Sequence, residues 1–127
     1  MNRQIVHSEH APKAVGPYSQ AIIVNGLVFA AGQAGVDPAT GNLVEGGVAA
    51  QTAQVLRNLD AVLTAAGSSL RHAVKASVFL TDMAHFPVMN AEYAKFFPEN
   101  PPARTTVAVA ALPLNALVEI DLVALLP

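Results

Sequence analysis

The sequence predicts a single α+β domain in which a mixed, largely antiparallel sheet carries two helices on one face. Three observations lead there. An Asn-Gly pair sits between two apolar, β-branched runs; two stretches repeat apolar residues at helical spacing; and three further runs are rich in β-branched and aromatic residues. A chain of 127 residues suits one compact domain that buries about two thirds of its unfolded surface.

The first element is a hairpin. Gln20–Val24 and Leu27–Ala31 flank Asn25-Gly26, and both central positions of a type I′ turn need φ > 0, which that dipeptide tolerates. Pro38 and Gly41 mark a second turn. From Val48 to Ala66, apolar residues including Val55, Leu56, Leu59, Val62 and Leu63 recur at helical spacing, with Gln51, Arg57 and Asp60 elsewhere around the wheel. Gly67 is placed to stop that helix in the left-handed conformation. Ala73–Thr81 reads as a strand. Phe86, Met89, Tyr93, Phe96 and Phe97 form a second helical stripe, with Pro87 tolerable in the first turn and Pro98 ending it. Two strands, Arg104–Ala110 and Leu117–Leu125, close the chain around a loop containing Pro113 and Asn115.

Composition narrows the function. Only 13% of residues are charged while 53% are hydrophobic, so one small domain cannot cover its whole exterior with polar side chains. A symmetric homo-oligomer would cover the free apolar sheet face. The net charge of −2 and seven scattered basic residues form no stripe for phosphates, which argues against nucleic acid as a partner. No run reaches the ~20 apolar residues that span a bilayer, and the polar start MNRQIVHSEH lacks the pattern of a secretory signal. The expectation is a soluble, cytoplasmic protein with no membrane partner. The absence of cysteine excludes disulfides, thiolate nucleophiles and cysteine metal sites. His7 and His10 could begin a metal site, but no third ligand follows at an interpretable interval, so they read as surface histidines and no metal is expected. His72 and His85, beside element boundaries, read as caps or solvated side chains. Neither phosphate-loop glycine spacing occurs.

Period-two geometry singles out the closing strands. Arg104, Thr106, Ala108 and Ala110 share one face, so a guanidinium and a hydroxyl point the same way. Glu119 shares a face with Leu117, Asp121, Val123 and Leu125, an acid inside one of the most hydrophobic stretches of the chain. A fixed fork of donors, a hydroxyl and a poorly solvated carboxylate suit recognition of a small carboxylic acid with water activated beside it. The same two residues could instead simply pair with each other as a structural ion pair across neighbouring strands. Both readings put Arg104 and Glu119 close together. Asp121 reads as a rim or subunit-contact charge, and Tyr93 and Phe97 as core. Asn90, a polar residue in an aromatic stripe, calls for a fixed hydrogen-bond partner, whether as a local cap or in orienting Arg104 or a ligand.

These residues lie in motifs with a collective identity. GPYSQAI, AAGQAGVDPATGNLV, VAAQTAQVLRNLDAVLTAAG, VKASVFLTDM, MNAEYAKFF, PPARTTV and VEIDLVAL, in unbroken order over nearly the whole chain, together resemble the Rid family of enamine/imine deaminases, also called the YjgF family. The resemblance implies a chorismate-mutase-like fold assembled as a homotrimer, with sheets packed in the centre and three sites in clefts between subunits. It also implies hydrolysis of 2-imino and 2-enamino acids such as 2-aminoacrylate to 2-oxo acids and ammonia. Carried over by motif, Arg104 would grip the substrate carboxylate and Glu119 would position or activate water. Tyr18 would enter from the adjacent subunit, Asn90 would join the site, and Gly32 would offer backbone contacts. Ala31 stands where such proteins usually have serine, and Thr106 where they often have cysteine. These changes keep the Arg–Glu pair and leave the substrate open. The alternatives are a paralogue acting on a larger enamine, a 2-oxo acid binding module without turnover, and the endoribonuclease described for some members. The implied chemistry needs no metal or organic cofactor, because an enamine tautomerises readily to an electrophilic imine.

Overall fold

A computed structural model describes residues 2–127, and those residues form one six-stranded mixed sheet with two α-helices on one face. The strands are β1 (Gln4–Val6), β2 (Ala21–Val24), β3 (Leu27–Ala34), β4 (Ala73–Leu80), β5 (Ala103–Ala108) and β6 (Val118–Leu125); the helices are α1 (Gly47–Ala66) and α2 (Phe86–Ala94). The expected hairpin is present, and Asn25 and Gly26 at its tip have φ of 51° and 74°. Gly67 ends α1 at φ 90°, its N–H donating to the carbonyls of Leu63 and Thr64.

The sheet order is β1-β2-β3-β6-β4-β5. All pairs are antiparallel except β4 with β5, which run parallel through the α2 crossover. That order corrects the sequence reading of the last two strands. They are not neighbours, because the β4–α2–β5 unit puts β5 on the outer edge and β6 fills the gap between β3 and β4. The chain also has β1, whose three residues pair with β2 without a hydrophobic period to betray them. The β5 strand stops at Ala108 instead of Ala110. The β3 strand instead continues to Ala34 through an irregularity at Ala31 and Gly32.

The core lies between the helices and one sheet face. Val55, Leu56, Leu59, Val62 and Leu63 of α1 are fully buried with Val28 of β3, Val78 and Leu80 of β4, and Ile120 of β6. Alternation in β6 follows: Val118, Ile120, Leu122 and Ala124 are buried, and Glu119 and Asp121 face away from the helices. The outer face is apolar in its own right. Phe29, Val107 and Leu125 are each more than two-fifths exposed there. No helix among the described residues is long and apolar enough to cross a membrane.

Candidate active site

Glu119 owes its position to an insertion in β3. Ala30 pairs with Leu122 and Gln33 with Ile120, so three steps on β3 match two on β6, and the extra residue falls at Ala31–Gly32. Such a bulge bends the strand and re-aims what lies against it. Gly32 then lies directly under the Glu119 side chain: a Cβ built on it would stand 2.6 Å from Oε2, 3.0 Å from Cδ and 3.2 Å from Cγ. The absence of a side chain is therefore what admits the carboxylate here.

A concavity of about 1030 Å³ opens over that carboxylate, and Tyr18, Gly32 and Glu119 all line it. The segment carrying Tyr18 is fixed from behind by Gln20, which is 3% exposed. Its Oε1 accepts from the Ser8 N–H at 2.6 Å, and its Nε2 donates to the carbonyls of Ser8 and Pro12 at 3.2 and 2.8 Å. Burial raises the Glu119 pKa above its ordinary 4.5, and the Asp121 carboxylate on the same face adds to the rise. A carboxylate so placed is a stronger base than a solvated one. Burial likewise raises Asp121, opposed by hydrogen bonding from Ser77 and by the Lys75 charge. Lys75 itself donates to Thr105 Oγ1 at 2.7 Å.

Arg104 occupies a different place. It registers with Ala76, and Ala76 registers with Leu122, so its side chain leaves the sheet on the helix-packed face. Glu119 registers with Phe79 and leaves on the other. Within one chain the two residues are thus separated by β4 and by the sheet itself. This corrects the expectation that they lie together, and it removes the structural ion pair: Lys95–Glu92 is the ion pair found among the described residues.

What holds Arg104 is aromatic. Its guanidinium carbon lies 4.7 Å from the centroid of the Tyr93 ring and 5.5 Å from that of Phe86. Ring faces attract the cation without occupying its in-plane N–H donors, which leaves the fork free for a planar anion. Phe86, Asn90 and Tyr93 follow one another at helical spacing on α2, so Asn90 belongs to the same face. Its amide is half-buried. Thr106 Oγ1 and the Tyr93 hydroxyl are buried without partners. Unpaired buried polar atoms beside a caged cation mark a place for a polar ligand. Burial raises the Tyr93 pKa, with the Arg104 charge opposing.

Tyr93 and Phe86 are the residues that sequence reasoning passed over, Tyr93 as core and Phe86 as one of a stripe. Tyr93 is indeed buried and stacks on Phe97 at 4.6 Å, but its other face serves Arg104. The available signal was the i, i+4, i+7 spacing of Phe86, Asn90 and Tyr93. Gln20 and the β3 bulge left no such signal. The histidines stay outside both clusters, save His7 at the edge of the Glu119 concavity. His72 Nδ1 bonds Ser69 Oγ at 2.8 Å; His85 holds the N-cap position of α2 without a side-chain cap bond, and its Nδ1 is buried without a partner. No group of three or more potential metal ligands occurs among the described residues.

A family model described as endoribonuclease L-PSP matches residues 8–126. The chain is 48% identical over 126 residues to the chloroplastic Reactive Intermediate Deaminase A of Arabidopsis thaliana, covering 99% of this chain and 67% of that protein. It is 42% identical over 123 residues to the human 2-iminobutanoate/2-iminopropanoate deaminase, covering 97% and 90%. The chain belongs to the Rid family. Its fold agrees: the crystal structure of RidA from an Antarctic Psychrobacter superposes with a TM-score of 0.93 at 44% identity, over 96% of this chain and 98% of that one. This Rid protein thus carries its two clusters of polar groups on opposite sides of one sheet, Tyr18, Gly32 and Glu119 in one and Asn90, Arg104 and Thr106 in the other. Ala31 sits in the bulge beside the first.

Proposed function

We propose that this chain hydrolyses 2-imino and 2-enamino acids to 2-oxo acids and ammonia in the cytoplasm, at sites completed between copies of a homotrimer. The observation that carries the reading is the placement of Arg104 and Glu119 on opposite faces of one sheet. A single chain cannot bring them to one small substrate; neighbouring copies can. The exposed apolar outer face, with Phe29, Val107 and Leu125, supplies a reason for copies to associate. The names of the Arabidopsis and human relatives favour the same substrate class.

In this scheme Arg104 holds the substrate carboxylate with two parallel N–H bonds, seated by Tyr93 and Phe86, while Thr106 and Asn90 complete the polar wall. Across the seam, Glu119 of the adjacent copy takes a proton from water as its oxygen adds to the C=N carbon. Tyr18 flanks that water. The imine nitrogen takes a proton from solvent and a neutral carbinolamine forms. The proton held by Glu119 then passes to nitrogen, and as the C–N bond breaks the hydroxyl proton returns to solvent, so imine and water become oxo acid and ammonia with the carboxylate restored. Positioning and proton transfer suffice for this reaction, with no metal or organic cofactor.

Complementation tests the arrangement. Arg104→Ala and Glu119→Gln trimers should each lose most activity, roughly ten- to more than a hundredfold in kcat/KM. Unfolded and refolded together in equal amounts, they should regain about a quarter of the wild-type sites, since random trimers pair an intact arginine with an intact glutamate at that frequency. Failure to complement, with mixed trimers confirmed by mass spectrometry, would overturn the shared site. The family description also names an endoribonuclease. A chain of net charge −2 with dispersed basic residues favours the small anion over RNA, and RNA cleavage lost in Arg104→Ala would reverse that choice.

A further inference from the structure

The loop between β5 and β6 holds an unusual residue. Leu114 has φ 62° and ψ 19°, and Asn115 follows at φ 57°. Left-handed backbone suits glycine and is tolerated by asparagine, but leucine adopts it at a cost, and such strain persists only where the surroundings enforce it. Here they do. The Pro113 carbonyl accepts from the Ala116 N–H at 3.1 Å, Ala116 is 1% exposed, and the Leu117 N–H donates at 2.8 Å to Oε1 of the buried Gln51 on α1. The loop is pinned on its far side and projects Leu114, 65% exposed, over the concavity that contains Glu119.

Core packing does not account for that side chain, and its neighbours around the concavity share its character. Val15 is 89% exposed and Tyr18 50%. Together with Pro113 they place an apolar rim around one carboxylate, in a space of about 1030 Å³.

We propose that Leu114 is a specificity-determining residue, the rigid wall against which the side chain of the substrate packs, and that the preferred substrates are 2-imino acids with branched aliphatic or aromatic side chains. This rests on the deaminase reading and extends it. The backbone strain serves to hold an apolar surface beside the reacting carbon, where a relaxed loop would turn it away. Selectivity of this kind comes from buried methylene and ring contacts that the smallest substrates cannot make.

The experiment uses imino acids generated in place by amino-acid oxidases from alanine, leucine and phenylalanine, with 2-oxo acid formation read above spontaneous hydrolysis. Leu114→Gly removes the side chain and fits the left-handed backbone, so the loop is retained. The kcat/KM ratio for the leucine- and phenylalanine-derived imines over the alanine-derived imine should exceed one in the wild type and fall about tenfold in the variant. Leu114→Met should restore it. An unchanged ratio in an active enzyme would overturn the assignment alone. Equal losses on all three substrates accompanied by trimer dissociation in light scattering would make Leu114 a subunit contact and overturn it as well. A wild type inactive on every imine would overturn the deaminase reading itself.

Discussion

Gly32→Ala is the sharpest perturbation available at this site. The new methyl carbon would lie 2.6 Å from Glu119 Oε2, where ordinary contact begins at 3.4 Å. The obstructing atom is the end of a flexible side chain, and Gly32 does not have the left-handed φ that would penalise alanine. The fold is therefore preserved and the carboxylate is displaced. The oxygen must retreat by about 0.8 Å and the stem must rotate with it, a misplacement of the order that costs about a hundredfold in rate when a reacting group loses its alignment. Lost backbone freedom in the unfolded chain favours alanine by ~0.4–1 kcal/mol, so Tm should stay level or rise slightly. Steady-state 2-oxo acid formation and a thermal melt read both quantities. A variant with undiminished kcat/KM would refute the claim that Glu119 works from the place the bulge gives it. A variant that fails to fold would refute the steric account.

Tyr93 separates cation seating from packing. Tyr93→Phe keeps the ring under Arg104 and removes a buried hydroxyl without a partner, so it should gain ~1 kcal/mol in denaturant unfolding. Tyr93→Leu loses the face and should raise KM about three- to thirtyfold, with the smaller share of the effect in kcat; calorimetric binding of a 2-oxo acid would show the same loss. Asp121→Asn tests the electrostatics. Glu119 acts ionised, so the acid limb of kcat/KM follows its raised pKa, and removing the Asp121 charge should shift that limb to lower pH. The stability consequence has a definite sign. A raised carboxyl pKa means that the folded chain holds the proton more tightly, so stability falls as pH rises from about 4.5 through the folded value. Melts of wild type and Asp121→Asn across that window should diverge, with the variant losing less.

Much of this protein was legible as sequence because the relevant physics is local. Hydrophobic period three to four wrote α1, alternation wrote β6, Asn25-Gly26 wrote the hairpin, and Gly67 closed its helix, each decided by backbone sterics and burial within a few residues. The motifs likewise singled out Arg104, Glu119, Tyr18, Gly32 and Asn90. What no local rule could supply was the placement of β6 between β3 and β4, because strand order is set by pairing between segments far apart in the chain. That order put β4 between Arg104 and Glu119, and register across β4 set the two side chains on opposite faces. The Ala31–Gly32 bulge and the ring faces of Phe86 and Tyr93 beside the guanidinium are of the same kind. They arise where distant segments pack, and only the assembled sheet and helices could decide them.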